Sequence, residues 1–210
     1  MRRLSSVAIA GFSLFLFVLF LMHFVYPEIA FTNRFMSEYA IGEHGWLMNI
    51  AFSANLIGSV AFLVAVYQAY PPPHRSAAAV TCYAIATVAI LTNFFPTDPY
   101  GRAVSLSGQI HNLGGFVGGL AALVFIMIHS GRLHSLGLLR GCYRALLLLA
   151  VSGPILFLVV LVAAARMSDV VGIVQRVYVL VLMFWLILAA KGMRTGTLLS
   201  KRVDPAAPRP

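Results

Sequence analysis

Six long apolar runs, 5–26, 46–70, 77–95, 110–128, 145–165 and 170–190, fill most of this 210-residue chain. A helix of about 20 apolar residues, rising about 1.5 Å per residue, matches the hydrocarbon thickness of a bilayer. None of the runs alternates every second residue, so a closed β-barrel is excluded. The α-helix remains as the way to satisfy the backbone in lipid. The expected fold is all-α, an integral membrane six-helix bundle. Only 10% of residues are charged, against about 25% in soluble domains, so lipid must solvate most of the surface.

Charge then sorts the loops. The net charge is +9, which in a soluble chain would suggest nucleic acid; here topology explains it better. With the N-terminus in the cytoplasm, Arg2, Arg3, Arg75, Arg132, Arg140, Arg144, Lys191, Arg194, Lys201, Arg202 and Arg209 lie inside, and only Arg34, Arg102, Arg166 and Arg176 lie at outer ends. Glu28, Glu38, Glu43, Asp98 and Asp169 also fall outside. The positive-inside rule thus predicts a multi-pass protein with both termini in the cytoplasm. The inner cations are expected to meet membrane lipid headgroups. Arg2 and Arg3 before an apolar stretch imitate a secretion signal, but the stretch is long and no small-x-small cleavage site follows it. It reads as a retained first span.

Residues 1–194 read as one six-transmembrane-helix domain and 195–210 as a flexible cytoplasmic tail. Pro71, Pro72 and Pro73 mark a stiff inner turn, and Pro154 predicts a kink in the fifth helix. Cys82 and Cys142 fall on the reducing side, as small buried apolar residues and not a disulfide. The overlapping pairs Gly114/Gly118 and Gly115/Gly119 predict close approach by a neighbouring helix, within the bundle or in a dimer.

The scarce polar groups gather at the outer end. They comprise Glu38 and His44 in the first outer loop, and Asn93 and Asp98 after the third span. Gln109, His111 and Asn112 open the fourth helix, Gln175 and Arg176 the sixth, and His23 ends the first. Arg176 sits about one turn inside an apolar helix, where an unpaired cation costs about 2.5–3.5 kcal/mol on insertion scales. It is expected to face the bundle and pair with Glu38 or Asp98, as a structural staple or a ligand anchor. His111 shares a face with Gly115 and Gly118, so it is expected to point at a packed interface, with Asp98 orienting its ring. Asn49 and Ser53 share a face of the second helix. Trp46, Tyr26, Tyr100 and Tyr178 suit an interfacial aromatic belt.

The elements Ser37-Glu38 with Gly42, Phe95-Pro96-x-Asp98, Gly108-x-x-His111 and Gly172-x-x-Gln175-Arg176 resemble the bacterial membrane family catalogued as domain of unknown function 998. The likeness runs from the first outer loop to the sixth helix. One departure is that the family's Ser-Glu-Leu-Gly-like stretch reads Ser-Glu-Tyr-Ala here, with the glycine displaced to Gly42. The resemblance implies a six-helix inner-membrane protein and supplies no reaction.

Three functions follow from the polar set. The first is binding of a lipid or other amphiphile, or an accessory role in a homo-oligomer or larger membrane complex, with Glu38, Asp98, His111, Arg176, Gln175 and Asn112 as the ligand-binding residues. The second is a membrane-embedded lipid hydrolase in which His23, His44, His111 and Asp98 hold zinc, with Glu38 as acid/base. The third is an electron carrier holding haem b between His23 and His111. No acid lies near the middle of a span, as a proton-coupled transporter would require, and phosphate-loop, nucleophile-elbow and nucleic-acid motifs are missing.

Overall fold

A computed structural model describes residues 1–69, 76–135 and 143–195, of which 133–135 and 143 are described by backbone alone. Cys142, the three-proline turn and the tail after 195 lie outside the described residues. Within them the protein is all-helical: α1 Arg2–Val25, α2 Trp46–Ala69, α3 Ala77–Ala89, α4 Leu106–Ser135, α5 Tyr143–Ala165 and α6 Val171–Thr195. All six spans are long and apolar enough to cross a membrane, α3 when its 3-10 continuation Ile90–Phe94 is included. That tightened turn ends where the sequence demands it. Phe95 precedes Pro96 and takes an extended conformation, as residues before proline do. A separate 3-10 turn, Met36–Ala40, interrupts the loop between α1 and α2. Pro154 lies inside α5, and the helix runs through it.

The helices form a ring in chain order, each packed on its neighbours, and α6 closes against α1. Water drives no packing between lipid-bathed helices, so small residues must allow close contact. A Cβ on Gly11 of α1 would come within 2.5 Å of the Ala54 carbonyl oxygen and 2.8 Å of Gly58 Cα on α2. A Cβ on Gly114 would overlap Thr92, and one on Gly118 would meet Ala89 Cβ at 2.8 Å. The Gly114/Gly118 stripe therefore seats α4 on the α3 segment inside the same chain. The seam between α4 and α5 is less extensive than those of α1 with α2 and α3 with α4.

We call the end where α1 stops and α2 starts the loop end. At the other end, Phe125 packs on Phe62, Tyr83 and Trp185 with ring centroids 6.0, 4.5 and 5.7 Å away. The Trp185 indole donates to Ser130 Oγ at 3.1 Å. This cluster closes the centre of the ring from below.

Candidate functional site

Arg176 organises the loop end, through partners other than those its charge suggested. No carboxylate among the described residues forms an ion pair with it. Its Nε donates to His23 Nε2 at 2.9 Å, its Nη2 to the Tyr39 hydroxyl at 2.9 Å, and its Nη1 to the carbonyls of Arg34 (2.9 Å) and Gly172 (3.0 Å). The guanidinium also lies 5.5 Å from the centroid of the Tyr39 ring. His23 donates from Nδ1 to Leu19 O at 2.8 Å. Accepting from a guanidinium requires a deprotonated Nε2, so this imidazole is neutral with both nitrogens in use.

Glu38, which is 1% exposed, is taken by three other donors. Arg34 Nη2 lies 2.6 Å from Oε2, Phe35 N–H donates to Oε1 at 2.9 Å, and Tyr100 N–H donates to Oε2 at 3.1 Å. Asp98 Oδ2 accepts from Ser105 N–H at 2.8 Å and Ser105 Oγ at 3.0 Å. His111 Nδ1 donates to the Phe95 carbonyl at 3.1 Å, in place of the expected bond to Asp98. Gln175 Oε1 accepts from Met36 N–H at 2.9 Å.

These bonds explain the motif spacings. Gly172 lets the first loop lie across the start of α6, because a Cβ there would come within 2.5 Å of Phe31 O and 2.6 Å of Arg34 O. Three and four residues on, Gln175 and Arg176 grip that loop. Gly108 makes room for the Asp98 carboxylate, and His111, one turn further, fastens Phe95. Gly42 has φ 105°, which only glycine adopts easily, and packs against Tyr26. Tyr100 spans the loops: its ring meets Phe35 at 4.9 Å, and its hydroxyl donates to Ala164 O on α5 at 3.4 Å. Burial, then the carboxylates of Asp169 and Glu38, raise its phenol above the ordinary value.

Beneath this lattice lies a cavity of about 720 Å³ lined by all six helices. Of the six residues expected to bind a ligand, His111, Asn112 and Gln175 line it; Glu38, Asp98 and Arg176 do not. Its upper rim adds Asn93, Tyr100 and Arg102. It descends past Asn55, Tyr83 and Tyr178 to Ser59, Ile126 and Leu186. Ser59 is thirteen residues along α2 from Trp46, or about 20 Å at helical rise. Gly115, Phe116 and Leu161 line the cavity and are also exposed, so the cavity opens sideways between α4 and α5. Gly115 thus faces open space where a packed interface was expected.

Other expectations also shift. Tyr26 and Tyr178 are buried and form no interfacial belt, whereas Trp46 is exposed. Asn49 is exposed; the buried polar pair of α2 is Asn55 and Ser59. Among the described residues, no three His, Cys, Asp or Glu side chains are grouped to hold a metal. His23, His44, His111 and Asp98 go to separate partners: the His44 ring lies beside Tyr26, whose hydroxyl takes the His44 N–H at 2.7 Å. Nor does His23 keep a nitrogen for haem iron.

Fold and site together define a multi-pass membrane protein of six helices, with an interior cavity roofed by cross-linked loops. The chain belongs to the family described as "Protein of unknown function (DUF998)", whose model matches residues 9–191. Neither the curated proteins nor the solved structures yield a match.

Proposed function

We propose that this protein binds a membrane amphiphile inside its helix ring. The observation that carries this reading is the cavity of about 720 Å³, open between α4 and α5. Ligand pockets of roughly 300–1,000 Å³ with apolar walls and a few polar groups are the usual form of a small-molecule site. A sideways opening admits a molecule already dissolved in lipid, without passage through water. The apolar chain would occupy the shaft, and the polar head would meet the rim of Arg102, His111, Asn112 and Gln175. No carboxylate lines the cavity among the described residues, and Arg102 is its one full cation; an anionic head is the best match. By the charge bias of the loops, the rim faces away from the cytoplasm, in an inner membrane. An accessory role in a larger complex is compatible with the same site.

Native mass spectrometry of gently solubilised protein is the test. It should show a retained amphiphile, lost or exchanged in Arg102→Ala. A bare protein spectrum, with fold unchanged by exhaustive delipidation, would sink the reading.

A further inference from the structure

Only the upper half of the cavity opens to lipid. Its exposed lining residues on the two seam helices are Asn112, Gly115 and Phe116 on α4 and Leu161 on α5. From Gly119 onward along α4, and from Val160 back toward the start of α5, every lining residue is buried or half-buried. There the two helices meet: a Cβ on Gly119 would lie 3.0 Å from Phe157 Cε2, and one on Gly153 2.7 Å from Leu123 Cδ2. The face of α4 toward the cavity reads Gly115, Gly119, Ala122 and then Ile126, at helical spacing. Small residues leave the shaft open, and the step up to Ile126 ends it. Ile126 and Leu186, 2% and 5% exposed, are the deepest lining residues of α4 and α6, at the level of the Phe125 and Trp185 cluster. The lower half is a blind pocket.

Its depth follows from the helices. Asn112 to Ile126 is fourteen residues along α4, and Gln175 to Leu186 eleven along α6, or about 16–21 Å at helical rise. A straight alkyl chain advances about 1.25 Å per carbon, from bonds of about 1.5 Å at tetrahedral angles. An amphiphile in the leaflet on the rim's side already points its chain at mid-membrane, about 15 Å away, so it enters without turning over. The chain passes from one apolar medium to another, and burial itself contributes little. Fit decides instead. A short chain leaves the floor empty, and a long one must buckle or lift its head off the rim. An open groove would let surplus carbons spill into lipid, which the closed lower seam prevents. Resting on the amphiphile reading above, we infer that the blind pocket selects its ligand by chain length, with Ile126 and Leu186 as the floor and a straight chain of about 13–17 carbons below the head as the fit. The class is a long straight-chain amphiphile with an anionic head.

Competition among straight-chain saturated fatty acids tests this. The full-length protein in detergent is given an equimolar mixture of acids of even length from 12 to 24 carbons, and native mass spectrometry reads which are retained. Retention should peak near 14–18 carbons and be at least about tenfold lower at 22, because one misfitting methylene in a closed apolar pocket is worth about 10–200-fold. Ala122→Phe fills the shaft one turn above Ile126 and should move the peak down by about four carbons. Ile126→Ala lowers the floor and should raise the upper limit by one or two carbons, on the order of its lost side-chain length. A thermal melt of each variant checks that it folds, and either variant suffices. Equal retention from 12 to 24 carbons, or a peak that a folded variant does not move, overturns the length selection and leaves the amphiphile reading standing. If no acid is retained, the molecule that wild type carries from its membrane decides. A straight chain within the fitting range upholds the inference. A longer chain, or a molecule without one, overturns it alone, and no retained molecule overturns both readings.

Discussion

The Nε of Arg176 lies 2.9 Å from Nε2 of His23, joining the start of α6 to the end of α1. A membrane-embedded cation is thus held by a neutral imidazole, a phenol and two carbonyls. Bonds to a charged group are worth about 1.5–3 kcal/mol each, and severing them leaves buried acceptors unmet. Arg176→Ala should lower stability by about 3 kcal/mol, read as a fall in the detergent melting temperature. Arg176→Lys keeps the charge but not the planar fork, so it should recover little of the loss. Full recovery by lysine would show that charge alone matters.

Gly172 makes that grip possible. Any side chain there meets the carbonyls of Phe31 and Arg34, and overpacking of this kind costs about 1–3 kcal/mol. Gly172→Val should lift the first loop from α6. The check is limited trypsin digestion, with cleavage after Arg34 accelerated in the variant. Unchanged cleavage would mean that the loop is held elsewhere.

Much of this was legible from residue type. Six runs near the bilayer length left few folds to choose from, and the rarity of polar groups in them marked the loop end. Partners were less legible. Opposite charge argued for Arg176 with Glu38, but Arg34, one turn before Glu38, takes that carboxylate and presents its own carbonyl to Arg176. The small residue that decides this geometry, Gly172, carries no charge to notice. The shaft was illegible for a different reason. A helix apolar on every face does not reveal which face turns inward, so Asn49 and Asn55 look alike in sequence although one is exposed and the other buried. Tyr178, two turns into α6, looked like an interfacial ring and is a cavity wall.

Alkaline pH should loosen the roof at Tyr100. Burial, then Asp169 and Glu38, raise its phenol above the ordinary value of 10.0. The folded state therefore holds this proton more tightly than the unfolded chain. The stabilisation is complete below the unfolded value and is lost as pH rises through the folded one. Melting temperature should fall more steeply above about pH 10 in wild type than in Tyr100→Phe. Parallel profiles would place the alkaline loss at another tyrosine.

Neighbouring glycines on α4 separate packing from binding. A Cβ at Gly114 would overlap Thr92, whereas one at Gly115 meets nothing within 4 Å. Gly114→Ala should therefore destabilise by about 1–3 kcal/mol through α3–α4 overpacking. Gly115→Leu projects into the opening beside Phe116 and Leu161, so stability should stay within about 0.5 kcal/mol of wild type. The leucine narrows the entrance, so the amphiphile retained by wild type should be depleted in native mass spectra of Gly115→Leu and kept in folded Gly114→Ala. Melting curves and spectra of the two variants measure both effects side by side. Retention of the molecule by Gly115→Leu would place the entrance away from the α4–α5 seam.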